Sequence, residues 1–92
     1  MWLDYNERKL TILEAVDNLD LDEATSQEVY EHLIENGDDV GLSAVQMALL
    51  RYHRQGLLSR RKIESVTRVY TLTDKGLERL KWLKAAFSDY LE

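Results

Sequence analysis

The sequence predicts a mostly helical α+β fold made of three helices, a two-stranded hairpin and a last helix. Three observations support this. Apolar residues recur with a helical period in the first half, capping residues and glycines mark helix ends, and the period becomes that of a strand after Leu58. A length of 92 residues allows one small domain, which we expect to span residues 1–92.

The first helix is predicted from apolar spacing. At 100° per residue, apolar side chains share one stripe, which places a helix at about residues 4–19. The stripe contains Trp2, Tyr5, Ile12, Leu13, Val16 and Leu19. Leu3 and Leu10 lie seven residues apart at the edge of this stripe and form a second apolar row.

A capping box starts the second helix. Thr25 is followed three residues later by Glu28, so each side chain can bond the other's backbone amide. We expect this helix to bury four residues: Val29, Tyr30, Leu33 and Ile34. Asn36 and Gly37 end it, since glycine accepts the left-handed backbone of a helix stop.

The third helix is predicted over Ser43–Gln55. Ser43 and Gln46 form a second capping box, and Leu42 and Met47 occupy the positions of a hydrophobic staple. The inner stripe of this helix is Val45, Ala48, Leu49 and Tyr52. Its outer stripe is Ala44, Met47, Arg51 and Arg54.

The hairpin and the last helix follow. Residues 60–65 and 67–72 are rich in β-branched and aromatic residues, which predicts two strands joined by a loose loop. Thr73 then caps a helix from Asp74 to about Leu91. One side of this helix carries Leu77, Leu80, Leu83, Phe87 and Leu91.

The charge is divided unequally along the chain. The net charge is −5, from 12 basic and 17 acidic residues, yet residues 42–92 hold ten bases against five acids. Residues 51–68 contain six basic residues and a single acidic one, Glu64. A chain that is acidic in total can therefore present one basic surface.

Several function classes are disfavoured by the residue types. The absence of cysteine suits a reducing cytoplasm, and no apolar run approaches the length of a membrane span. The two histidines, His32 and His53, lack partners at metal-ligand spacing. We find no glycine-rich phosphate loop and no nucleophile–base arrangement. The expectation is a protein without enzymatic activity, metal or cofactor.

Two helices joined by a short glycine-containing turn form a helix-turn-helix, whose second helix can enter a DNA major groove. The run from Ser43 through Gln55-Gly56-Leu57-Leu58, the basic pair Arg60-Arg61, and Arg68-Val69-Tyr70-Thr71-Leu72-Thr73-Asp74-Lys75-Gly76 resembles the winged helix-turn-helix regulators. The resemblance covers about residues 8–85 and is closest to compact archaeal and PadR- or MarR-like members. It implies a winged helix-turn-helix with a three-helix core, a two-stranded wing and a C-terminal helix. It also implies dimers that bind two half-sites.

These features predict double-stranded DNA as the partner. Arg51 and Arg54 can fork to guanine or bind phosphate, and the bases of the hairpin suit backbone phosphates. Solvated helix faces and protection of a strand edge remain alternative explanations for these charges. The expected DNA-binding residues are Ser43, Ala44, Gln46, Met47, Arg51, Arg54, Arg60, Arg61, Lys62 and Arg68.

A homodimer is expected from a surplus of apolar surface on the last helix, residues 74–92. Trp82, Ala86 and Tyr90 are spaced i, i+4, i+8 on a second side of this helix. With Leu3 and Leu10 they form a candidate dimer interface, although Trp82 can instead cover the first helix within one monomer.

A second functional hypothesis is based on the acidic residues of the N-terminal half. In it, the winged helix is a protein-interaction module whose acidic N-terminal half meets a basic partner. Glu28, Glu31 and Glu35 beside exposed apolar residues would favour this hypothesis. A basic ridge formed jointly by the third helix and the hairpin would favour DNA.

Overall fold

Four helices and a three-stranded antiparallel sheet make up the computed structural model, which describes residues 2–19, 23–64 and 67–91. Side chains are described for residues 6–19, 23–64 and 67–88. The elements are α1 (Trp2–Asn18), β1 (Ala24–Thr25), α2 (Ser26–Glu35), α3 (Leu42–Arg54), β2 (Leu58–Lys62), β3 (Arg68–Leu72) and α4 (Asp74–Leu91). The predicted order of helices and hairpin is confirmed, and β1 is an addition to it.

The capping residues of α2 and α4 behave as predicted. The hydroxyl of Thr25 accepts a hydrogen bond from the Glu28 amide at 3.1 Å, and the Glu28 carboxylate accepts one from the Thr25 amide at 2.8 Å. Gly37, with a φ of 86°, follows the end of α2. At the start of α4, the hydroxyl of Thr73 accepts from the Gly76 amide at 3.0 Å.

The capping box predicted at the start of α3 is wrong. Gly41 is the N-cap and makes no side-chain cap hydrogen bond, while its carbonyl accepts from the Val45 amide at 3.1 Å. Because the helix begins at Leu42, Ser43 lies inside the first turn, past the position from which a side chain can cap. Arg54 is the last residue of α3, one residue before the predicted end.

The sheet has the strand order β1–β3–β2, so β3 is central. In the hairpin, Leu58 is paired with Leu72, and Lys62 with Arg68. Strand β2 therefore begins two residues earlier than predicted and ends three residues earlier. The two residues of β1 pair with Val69 and Tyr70, which attaches the start of α2 to the hairpin.

The core is formed by residues of all four helices and of the sheet. The predicted inner stripe of α3 is confirmed, since Val45, Ala48, Leu49 and Tyr52 are each at most 1% exposed. Two residues predicted to be buried are exposed: Ile34 at 43% and Leu77 at 39%. Ile34 lies in the last turn of α2 and Leu77 in the first turn of α4.

Lys9 of α1 is buried among the apolar residues, with only 4% of its surface exposed. Its ammonium donates to the side-chain oxygen of Gln55 at 3.1 Å and lies 5.5 Å from the centre of the Tyr52 ring. A buried charge is costly unless it is partnered, and these contacts partner it. They fix α1 against the carboxyl end of α3.

Candidate nucleic-acid interface

The outer face of α3 is available to a partner, because the inner stripe uses the opposite face for the core. Met47 is 64% exposed, and the guanidinium of Arg51 lies 5.9 Å from the centre of the Tyr52 ring. Within α3, the other exposed residues of the predicted site are Ser43, Gln46 and Arg54, and Ala44 is half-buried.

One open groove joins α3 to the hairpin and to the start of α2. Its volume is about 480 Å³, and no carboxylate is among the described residues that line it. We call it the reading groove. It is lined by Thr25, Ser26, Gln27, Gln46, Met47, Leu50, Arg60, Thr67, Arg68 and Tyr70. A neutral to basic lining in a chain of net charge −5 marks this groove as electrostatically distinct.

The alternation of strand residues divides the bases of the wing, which we define as residues 58–72. Arg60 is paired with Tyr70 and Lys62 with Arg68, so these bases share the face that looks onto α3. Arg61 is paired with Val69 and lies on the opposite face. The prediction of one continuous ribbon of four charges is therefore corrected, since Arg61 is separated from the other three.

Arg61 is engaged by an acid from the N-terminal half. Its Nε donates to Glu23 Oε2 at 2.8 Å, and one terminal nitrogen also donates to Oε1, giving a two-point ion pair. These hydrogen bonds lower the pKa of Glu23 below its ordinary value of 4.5 and raise the pKa of Arg61. An acid of the N-terminal half therefore neutralises one base of the wing.

Arg54 is also separated from the reading groove. It lines a second groove at the carboxyl end of α3, which we call the basic groove. The residues of the basic groove are Lys9, Arg54, Gln55, Leu57, Lys75 and Arg79. The ten predicted site residues thus occupy more than one surface, and only Gln46, Met47, Arg60 and Arg68 line the reading groove.

Sequence reasoning missed the contribution of α2 to the reading groove. Thr25, Ser26 and Gln27 lie at the start of α2, and the pairing of β1 with β3 brings them beside the hairpin. The capping box already located this helix start, where backbone amides favour an anion. The missing signal was β1, which at two residues is too short to show a strand period.

The side chain of His53 makes a contact within the fold. Nδ1 of His53 lies 3.0 Å from the carbonyl oxygen of Leu58, which links α3 to β2. Across the described residues, histidines and acids form no group of three or more that can hold a metal ion. Within the described residues, no helix is long and apolar enough to cross a bilayer.

The residues of the candidate dimer interface have different environments. Trp82 is 54% exposed, and Ala86 is half-buried. Leu10 is partly buried and packs against the core, so it is less available to a second chain than predicted. The side chains of Leu3 and Tyr90 lie outside the described residues.

A helix-turn-helix followed by a hairpin that flanks the exposed face of its second helix is a winged helix-turn-helix, and the predicted fold class is confirmed. The PadR-like transcription factor from Bacteroides fragilis has this fold, with a TM-score of 0.82 at 22% identity over 97% of this chain and 87% of that one. The PadR-like regulator from Bacillus cereus gives a TM-score of 0.78 at 23% identity, covering 98% of this chain and 89% of that one.

In sequence, the chain is similar to the ferric uptake regulation protein of Pseudomonas aeruginosa, with 31% identity over 68 residues. That match covers 74% of this chain and 51% of the relative, so the chain spans about half the length of the curated relatives it matches. No protein-family model matches the sequence.

Proposed function

We propose that this protein is a sequence-specific DNA-binding transcriptional regulator. The outer face of α3 would lie in the major groove, and the wing would lie against the adjacent phosphate backbone. The observation that carries the proposal is the reading groove, in which the exposed face of α3 and two arginines of the wing form one surface without a described carboxylate.

Each part of the reading groove has a chemical role in this proposal. The amide of Gln46 can pair with an adenine edge, and the exposed Met47 side chain can pack against a thymine methyl group. Arg51, further along the same helix, can fork to guanine. Arg60 and Arg68 would bind phosphates and release counterions, which gives affinity without sequence preference.

The start of α2 completes the contact with the backbone. Ser26 and Gln27, the first two residues of α2, line the reading groove, and a helix amino end favours a phosphate. The duplex would therefore be held on both sides of α3, by the wing and by α2.

We also propose that two copies form a homodimer through α4. Trp82 is 54% exposed on this helix. A large exposed aromatic on a surface helix is typical of an anchor in a protein interface. A twofold dimer would present two copies of α3 to two half-sites, about 34–36 Å apart.

A salt titration tests the DNA proposal. Fluorescence anisotropy with a generic labelled duplex should show binding at low salt, with an affinity that falls as salt rises. Arg60→Ala should weaken binding to all sequences alike and reduce the slope of log K against log salt by about one. Selection of bound fragments from genomic DNA then identifies the preferred sequence.

Two variants control for the loss of charge. Arg61→Ala removes the same charge from the same hairpin, but its guanidinium lies on the opposite face and is already paired with Glu23. Lys81→Ala removes an exposed charge from α4, away from both grooves. Both should lose less affinity than Arg60→Ala. Equal losses in all three variants, or no binding at low salt, would contradict the proposal.

A second candidate function is a protein-interaction module. The exposed Ile34 of α2, flanked by the exposed acids Glu31 and Glu35, favours a basic protein partner. Glu28 does not join this patch, because its carboxylate is used in the capping box with Thr25. The same titration separates the two functions, since an acidic surface of this kind would not bind a duplex.

A further inference from the structure

The basic groove combines four bases from three helices at the carboxyl end of α3. Lys9 comes from α1, Arg54 from α3, and Lys75 and Arg79 from α4. No carboxylate occurs among the described residues that line it. Four like charges repel one another unless something else in their surroundings compensates them.

The fold compensates two of these charges. The ammonium of Lys75 donates to the backbone carbonyl of Gln55 at 2.8 Å, and that of Lys9 donates to the Gln55 side chain at 3.1 Å. Both cations therefore lie at the end of α3, where the helix dipole is negative. This accounts for the two lysines as structural groups, and it also holds them in fixed positions.

The two arginines have no such explanation. Arg54 is exposed and Arg79 is half-buried, and neither has a salt bridge to an acid among the described side chains. Guanidinium groups that line one groove together with lysines held by the fold are typical of a site for an oxyanion with several oxygens.

We propose that the basic groove binds a phosphate group. Arg54 and Arg79 would contact its oxygens directly, and the held lysines would supply a fixed positive field. Arg54 is seven residues beyond Met47, on the same outer face of α3, which is a rise of about 10 Å along the helix. If α3 lies in a major groove, the basic groove lies beside a backbone phosphate of the same duplex. This choice of phosphate source rests on the proposed function, whereas the site itself does not.

The experiment uses two probes, a generic DNA duplex and inorganic tripolyphosphate, with Arg79→Gln and Arg54→Gln. For the duplex, each variant should lower the affinity by roughly threefold to tenfold and reduce the salt slope by about one. For tripolyphosphate, the backbone amide signals of Gln55 and Gly56 should shift in NMR spectra of the wild type and shift less in the variants.

Two further variants serve as controls. Lys81→Gln removes an equal charge from α4 outside the groove, and Arg60→Gln removes one from the wing. Lys81→Gln should leave the response to both probes unchanged, and Arg60→Gln should leave the tripolyphosphate shifts at Gln55 and Gly56 unchanged. Circular dichroism melts establish that each variant is folded.

The outcomes separate this inference from the proposed function. Loss of duplex affinity in the arginine variants identifies the DNA backbone as the source of the phosphate. A tripolyphosphate response with unaffected duplex binding, or with no duplex binding in the wild type, identifies a free phosphate compound and retains the site. If the arginine variants behave like Lys81→Gln with both probes, the phosphate site is refuted, even where the wild type binds DNA through its wing.

Discussion

Arg60 and Arg61 are adjacent in the sequence and lie on opposite faces of the wing. Arg60 lines the reading groove, whereas Arg61 spans the central strand to meet Glu23. The side-chain period of a strand is two, so neighbouring bases of one run cannot act on the same surface. Counting bases therefore overestimates the charge that the wing offers to a duplex.

The Glu23–Arg61 pair makes stability depend on pH in the acid range. The pKa of Glu23 is lowered in the folded protein by its hydrogen bonds from Arg61. Its contribution is therefore fully present above the ordinary value of 4.5 and is lost as pH falls through the lowered folded value. Urea unfolding of the wild type, Glu23→Gln, Arg61→Ala and the double variant should give a stabilising coupling at pH 7 that is smaller at pH 3.

A second ion pair provides the comparison for that measurement. In the pair between Lys84 and Glu14, Nζ and Oε2 are 3.6 Å apart, with a single contact between exposed side chains. Such pairs contribute little, so its coupling at pH 7 should be smaller than that of the two-point pair. A coupling between Glu23 and Arg61 that is zero at pH 7, or that is equal at both pH values, would mean that the pair does not form in solution.

At the scale of secondary-structure elements, the joint between α3 and α4 depends on close backbone approach. A Cβ atom at Gly76 would lie 1.9 Å from the carbonyl oxygen of Leu57. That same oxygen accepts a hydrogen bond from the Thr73 amide, so it cannot move without disturbing the start of α4. Gly76→Ala should therefore destabilise the protein by about 2 to 3 kcal/mol.

Thermal unfolding measures this effect, and Gly41→Ala is its matched control. Nothing lies within 4 Å of a Cβ atom at Gly41, whose φ of −92° is accessible to alanine. The control should change the free energy of unfolding by less than about 1 kcal/mol, because the loss of a favourable N-cap residue is offset by lower entropy of the unfolded chain. Similar melting temperatures for the two variants would show that the close approach does not constrain the fold.

The helices were predictable wherever one physical cause dominated. The inner stripe of α3 follows from its period, and the Thr25 box follows from local hydrogen bonding. The start of α3 was not predictable from its capping pattern, since Ser43 and Gly41 both satisfy the local rules. The strand β1 owes its existence to pairing with β3, which is a tertiary contact without a local signature.

The basic residues of the candidate site could be identified from the sequence. Which of them share a surface could not. The residue types of Arg54 and Arg60 are evident in the sequence, but the grooves that they line depend on how α3, α4 and the wing pack. Lys9 was hidden for the same reason, because a basic residue in an acidic segment gives no sign that it will be buried. Tertiary packing therefore determined the division of the site.

For the whole molecule, the net negative charge opposes the approach of DNA to the basic grooves. The net charge of −5 repels DNA at long range, so the two described grooves can attract it only at distances comparable to the Debye length, about 8 Å in physiological salt. A dimer doubles the number of basic surfaces on one particle and allows both to act on one duplex. The oligomeric state therefore bears directly on whether a chain of this composition can hold DNA.

The dimer proposal predicts a particle of twice the 10.8 kDa chain mass in sedimentation equilibrium at micromolar concentration. Trp82→Glu should weaken self-association at least about tenfold, because it places a charge in the centre of the proposed interface. Ile34→Glu is the matched control. Ile34 is an apolar residue of α2, outside the proposed interface, and it is 43% exposed where Trp82 is 54% exposed. This control should leave the mass unchanged. A wild type that sediments as a single chain would remove the dimer, and each α3 would then have to bind its half-site without the contribution of a tethered second copy.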